Sequence, residues 1–180
     1  MKTIALFGGS FDPPHKGHEA IVKELLALNY INKVVIMPTF LNPFKSNSFA
    51  PSTMRLKWLK NIFALFKNVE ISSFEVDLEK KVPSIQSVQY LLKSYKKVYL
   101  VIGADNLTSL SKWTDYDELN KLVTFIVASR DNIEVPNTFL KLHVEEDISS
   151  TDLRKKITKE NLSEICSDEI IKFYKEKNEH

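Results

Sequence analysis

His15 and His18 stand three residues apart in His15-Lys16-Gly17-His18, and their spacing is the strongest sign of chemistry in the chain. On the first turn of a helix both imidazoles face the same way, with Gly17 leaving room between them. Two N–H donors aimed at one spot suit a phosphoryl group whose oxygens gain charge during transfer. The residues before the pair strengthen that reading. In Gly8-Gly9-Ser10-Phe11-Asp12-Pro13-Pro14 the glycines remove side chains that would keep an anion off the backbone, and the prolines stiffen the approach to a helix start. Without that setting, a bare His-x-x-His pair is most simply two surface histidines.

Two other clusters carry suitable groups. Gly103-Ala104-Asp105 puts a carboxylate just past an apolar run, where Asp105 could also cap a short helix. Ile148-Ser149-Ser150-Thr151-Asp152-Leu153-Arg154 gathers three hydroxyls at a helix start with an arginine one turn in. That set suits triphosphate oxygens through N–H, O–H and guanidinium groups, and also reads as a plain capping run. Other chemistries fail on spacing. The chain has no Gly-x-Gly-x-x-Gly and no P-loop, and a zinc site would need His143 and Cys166, which show no ligand-pair spacing. No protein-held metal and no nucleophile–base pair is expected, so positioning and charge stabilisation must do the work.

These residues need elements to hold them. Thr3–Phe7 reads as a strand buried on both faces, followed by a Gly-rich turn and an amphipathic helix from about Gly17 to Leu28. Lys33–Met37, Val69–Ser72, Lys97–Ile102 and Val123–Ala128 are further strands, Phe74–Val76 extends the second of these, and Leu140–Val144 alternates like an exposed edge strand. Between them, helices are expected over about Ser52–Phe66, with Ser52 as N-cap and Trp58 in the core, from Ser84 as a second N-cap, and after Thr114-Asp115. A closing helix over about 163–176 follows, and Thr39–Pro51 is a long polar loop of mobile or functional type. Strand–helix–strand order implies parallel, right-handed crossovers, hence an α/β fold in a single domain spanning 1–180.

Composition narrows the partners. With 25 basic and 23 acidic residues the net charge is +2, so no basic field calls for nucleic acid, and small anionic ligands fit better. The lone Cys166 sits in an amphipathic stretch and reads as a core thiol. No secretory leader and no membrane-length apolar run is seen, and a soluble, cytoplasmic chain is expected. Self-association is left open.

The first cluster resembles the signature of the His-x-Gly-His nucleotidyltransferase superfamily, and in its fuller form that of the bacterial nicotinate-mononucleotide adenylyltransferases. Gly103-Ala104-Asp105 with Trp113 downstream, and Ile-Ser-Ser-Thr-x-Leu-Arg, follow in family order, so the likeness covers nearly the whole chain. It implies a Rossmann-like, doubly wound parallel sheet of five or six strands, and adenylyl transfer from ATP to nicotinate mononucleotide, with Mg²⁺ bound through ATP or pyrophosphate. It further implies catalysis by His18 and His15. ATP binding would fall to Gly8, Gly9, Ser10, Phe11, His15, His18, Gly103, Asp105, Ile148, Ser149, Ser150, Thr151 and Arg154. The mononucleotide would meet Ser84, Trp113, Thr114, Tyr116, Lys45, Arg55 and Arg130, with Trp113 stacking on the pyridine ring. Ser84 and Gln86 stand where the family pattern has threonine and aspartate, which loosens the match there. Main-chain donors at 113–116 and the Ser84 hydroxyl would favour the acid over the amide form. Phosphopantetheine adenylyltransferases, small cytidylyltransferases and a non-catalytic nucleotide sensor share this logic and remain rivals.

Overall fold

The apolar run Thr3–Gly9 forms β1 and is followed by α1 (Lys16–Leu26), β2 (Lys33–Pro38), α2 (Ser52–Ile62) and β3 (Val69–Ile71). After α3 (Phe74–Asp77) come α4 (Ser84–Leu92), β4 (Lys97–Gly103), α5 (Tyr116–Leu122), β5 (Val123–Ser129), β6 (Leu140–His143), α6 (Ser150–Lys155) and α7 (Ser167–Asn178). The structure, a computed structural model, describes residues 2–129, 133–146 and 148–179.

The six strands make one sheet in the order β3-β2-β1-β4-β5-β6, and every neighbouring pair is parallel. Chain order reverses between β1 and β4, and loops leaving the carboxyl ends of those strands diverge there to open a crevice. Alternate residues of each central strand serve opposite faces. Ala5, Phe7, Val34, Ile36, Val101 and Ile126 join one buried cluster with α1, α2 and α7, while Ile4, Leu6, Val35, Leu100 and Phe125 join another with α4 and α5. Burial of strands on both sides explains their unbroken apolar runs. Trp58, 0% exposed, and Cys166, 3% exposed, lie in the first cluster as expected.

Local structure departs from the sequence expectation at several joints. Gly8 and Gly9 are the last residues of β1, paired with Met37 and Pro38, rather than a turn. Phe74–Val76 belongs to a helical turn, because the Ser72 hydroxyl accepts from Phe74 N–H and the Asp77 N–H donates to Ser73 O, pulling the backbone off the sheet. Pro51 and Pro83 precede α2 and α4 as their caps, so Ser52 and Ser84 are first-turn residues with no capping bond. Asp105 lies inside a short 3₁₀ turn whose cap is Gly103. The closing helix begins at Ser167, four residues later than expected.

Candidate active site

The carboxyl end of β1 delivers the chain to α1 through Ser10–Pro14, and His15 occupies the N-cap. His15 Nδ1 accepts from Gly17 N–H at 3.1 Å, and His18 Nδ1 accepts from His15 N–H at 3.1 Å. A capping box usually made by Ser and Glu is made here by two imidazoles. A nitrogen that accepts carries no proton, so both neutral rings hold theirs on Nε2. The rings stack with centroids 3.7 Å apart, and a Cβ on Gly17 would lie 2.8 Å from the His15 ring, which confirms the space Gly17 was expected to leave. The N–H groups of His15 and Gly17 are thereby satisfied, so this helix start is not a bare anion cradle.

His15 and His18 line a cleft of about 340 Å³ together with Ser10, Lys45, Gly103, Asp105, Ile148, Ser149, Ser150, Thr151 and Arg154. The fold thus brings the three sequence clusters to one place at the β1/β4 reversal. Gly8 and Gly9 are not on that lining. They border a second cleft of about 190 Å³ on the other side of β1, with Ser84, Trp113 and Thr114. Gly9 packs closely, since a Cβ there would come within 3.3 Å of the Phe11 ring. Phe11 has a φ of 50° and is 2% exposed, wedged edge-on against Phe7 and His18, so its ring supports the pair.

The second signature docks on the first. Ser149 caps α6, the Ser150 hydroxyl donates to Pro13 O at 3.0 Å, and Arg154 donates to Asp12 O and to Thr151 Oγ1 while lying 4.4 Å over the Phe49 ring. Groups expected for triphosphate oxygens also lock the two signatures together.

Arg55 corrects the expectation most sharply. It is 0% exposed, and its guanidinium donates to the carbonyls of Ala50 (3.0 Å), Ser10 (2.6 Å) and Phe40 (3.0 Å). Burial lowers its pKa, with Asp12 and Tyr174 opposing that trend. It fastens both ends of the 39–51 loop to the first signature and is too deep to touch a mononucleotide. Asp12 works from the other side. Its Oδ2 accepts from Phe49 N–H at 2.7 Å, and its Oδ1 accepts from Ala50 N–H at 3.0 Å and from the Tyr174 hydroxyl of α7. Burial and the facing Asp12 push Tyr174 far above the ordinary phenol range. Asp12 belongs to the first motif, but its pairing with Tyr174 leaves no mark in the sequence because the two stand 162 residues apart.

In the second cleft, Trp113 is half-buried and its Nε1 has no hydrogen-bond partner. Thr114 and Ser84 lie on the same lining, whereas Tyr116 turns toward Phe125 at a centroid distance of 6.2 Å and is absent from it. The N–H groups of Trp113 and Tyr116 are taken by Leu110 O and Trp113 O, so two of the donors expected at this turn are already used. Glu75 and Thr39 also line this cleft, and neither was foreseen. Burial pushes the Glu75 carboxyl up to about 7, although a hydrogen bond from Ser87 pulls it down. Arg130 lies outside the described residues. No group of three or more His, Cys, Asp or Glu able to hold a metal ion occurs among the described residues, and none of their helices is long and apolar enough to cross a membrane.

Two histidines at one helix start and a hydroxyl- and arginine-bearing second helix start on one cleft, beside a second cleft that carries Trp113, are the features of a nucleotidyltransferase-type domain. Residues 6–156 match the family model described as cytidylyltransferase-like. A protein of Sulfurimonas denitrificans described as "Probable nicotinate-nucleotide adenylyltransferase" is 58% identical over 178 residues, covering 99% of this chain and 98% of that protein. One of Campylobacter fetus with the same description is 47% identical, with 98% of each covered. The chain belongs to the cytidylyltransferase-like family and, within it, to the nicotinate-nucleotide adenylyltransferases. The Plasmodium falciparum nicotinic acid mononucleotide adenylyltransferase, solved in complex with NaAD, shares the fold at a TM-score of 0.78, with 21% identity and coverage of 97% of this chain and 98% of that one.

Proposed function

We propose that this chain transfers the adenylyl group of ATP to the 5′-phosphate of nicotinate mononucleotide, forming deamido-NAD and pyrophosphate as a step of NAD biosynthesis. One observation carries this reading: two clefts meet at Phe7 and Gly103, one lined by the phosphate-type signatures and the other by Trp113 and Ser84. ATP would occupy the first and the mononucleotide the second, which brings the acceptor phosphate to the α-phosphorus near the histidines. A phosphate oxygen of the mononucleotide attacks that phosphorus in line. The bond to the bridging oxygen breaks, and the pair of electrons leaves with pyrophosphate.

His18 and His15 donate Nε2–H hydrogen bonds to the α-phosphoryl oxygens as their charge grows, an effect typically worth about 10²–10³ in rate for one donor. Lys45 and Arg154, both on the lining of the first cleft, offset charge on the leaving phosphates. Ser149, Ser150 and Thr151 contact the triphosphate, and Gly103 and Asp105 border the nucleoside. Mg²⁺ enters on the triphosphate oxygens as part of the substrate. The pyridine ring stacks on Trp113, with Ser84 and Thr114 near its substituent.

Incubation with MgATP and a panel of phosphate-bearing acceptors tests this, with products identified by mass. The expected product is the nicotinate dinucleotide. Adenylylated phosphopantetheine instead, or turnover only when MgCTP replaces MgATP, would assign the chain to a rival activity.

A further inference from the structure

Glu75 is 6% exposed and sits on the lining of the Trp113 cleft, where it is the sole ionisable side chain among the described residues. Its Oε1 accepts from the Ser87 hydroxyl at 2.6 Å. Its Oε2 is shut off from water and hydrogen-bonds nothing. Protonated, that oxygen is a donor without an acceptor; ionised, it is an acceptor without a donor. Buried polar atoms are rarely left so, because an unmet one costs the full desolvation penalty of the group. Thr39 Oγ1 and Trp113 Nε1, on the same lining, are also buried and unpartnered. Three orphan polar atoms around one small cleft point to a ligand as the missing partner.

We propose that Glu75 is a specificity-determining residue of this cleft, whose unpaired oxygen reads the pyridine substituent: neutral, it donates to a carboxylate, and ionised, it repels one. Glu75 has this role only if the cleft takes the mononucleotide ring, as proposed above. Two carboxyl groups in one apolar site share a proton readily but tolerate two negative charges poorly. A carboxamide offers an acceptor and a donor, so it suffers no such repulsion.

The charge of Glu75 is set locally. Burial raises its pKa to about 7 and the Ser87 bond opposes this. α4, which supplies Ser87, has no charged residue. On β2 and α2, packed against α3, Lys33 pairs with Glu70, Lys57 with Glu169, Arg55 is held by three carbonyls and Lys60 is exposed. Asp77 on α3 itself accepts from the Ser73 hydroxyl.

The test is the ratio of kcat/KM for nicotinate mononucleotide over nicotinamide mononucleotide, from about pH 6 to 8.5. The 5′-phosphate titrates near 6 in both substrates and cancels from the ratio, while the nicotinate carboxylate stays ionised throughout. Since kcat/KM reports groups of the free enzyme, the ratio should fall at least about tenfold with a midpoint near 7. In Glu75→Gln, which keeps an acceptor for Ser87 and puts an uncharged donor in place of Oε2, the ratio should be flat and should exceed the wild-type ratio at pH 8.5. A flat wild-type ratio overturns the proposal whether or not the variant folds, and a ratio that still falls in the variant moves the titration to another group and overturns it too. If neither mononucleotide yields a dinucleotide, adenylyl transfer itself is wrong and Glu75 loses its substrate. Dinucleotide formation with a flat ratio refutes Glu75 alone.

Discussion

At the residue scale, chemistry rests on groups whose partners are fixed by backbone. The His15 and His18 rings each spend Nδ1 on a helix-start N–H, so their tautomers are set before any substrate arrives. Glu75 shows the cost of leaving a carboxyl half-satisfied. Its folded pKa of about 7 stands above the usual 4.5, so the native state holds the extra proton between those values. Stability therefore falls as pH rises from about 4.5 to 7 and stays lower beyond. Glu75→Gln should match or trail wild type near pH 4.5 and gain on it by about 2–4 kcal/mol by pH 8, read from denaturant unfolding at each pH. Parallel curves for the two proteins would show that Glu75 is ionised without penalty. Trp113 should act mainly on one substrate. Trp113→Ala should raise KM for the mononucleotide about 2–10-fold and leave KM for ATP nearly unchanged, in initial-rate measurements on protein shown to be folded. Equal rises for both would put the indole in the core role alone. Of these residues, the histidines drew attention by their spacing, while Trp113 and Ser84 were assigned to the site only through the family resemblance. Glu75 was not legible, since its significance comes from burial beside Ser87, twelve residues away. Arg55, assigned to the mononucleotide through the resemblance, has a role that only the fold reveals, since the carbonyls of Ser10, Phe40 and Ala50 come from three separate stretches of chain.

At the element scale, α7 and the 39–51 loop act on the site through Asp12. Tyr174 donates to Asp12 from α7, Lys177 donates to Phe49 O, and Asn178 donates to Arg154 O, so the last helix braces both the loop and the second signature. Tyr174→Phe removes one hydrogen bond to a buried carboxylate and should cost about 1–3 kcal/mol of stability. It should also raise KM for ATP more than it lowers kcat, because the histidines keep their own caps. Thermal unfolding and steady-state kinetics on the same sample check this, and an unchanged KM would show that the brace serves folding only. The strands were readable from their apolar runs. Helix starts after proline were not, because Ser52 and Ser84 have cap-forming side chains but follow prolines that already occupy the cap. The turn at Phe74–Asp77 was hidden by an apolar alternation that side-chain bonds from Ser72 and Ser73 override.

At the scale of the whole molecule, the parallel sheet places the ends of β1 and β4 side by side, and everything proposed for the reaction gathers at that reversal of strand order. A parallel α/β sheet was legible from alternating strands and helices, and its doubly wound order was implied by the family resemblance. The division of the crevice into two clefts was not legible, because it depends on how deeply Phe7 and Gly103 sit between them. The proposed transfer needs no covalent intermediate, only two phosphates held in line beside two oriented imidazoles. Pyrophosphate release from MgATP, followed with and without nicotinate mononucleotide for wild type and His18→Ala, tests that account most directly. Wild type should release pyrophosphate only when the acceptor is present, and His18→Ala, measured on protein shown to be folded, should lower kcat by about 10²–10³-fold while the lost capping bond to His15 N–H costs about 0.5–2 kcal/mol of stability. Pyrophosphate release without acceptor, or a His18→Ala variant with near wild-type kcat, would contradict it.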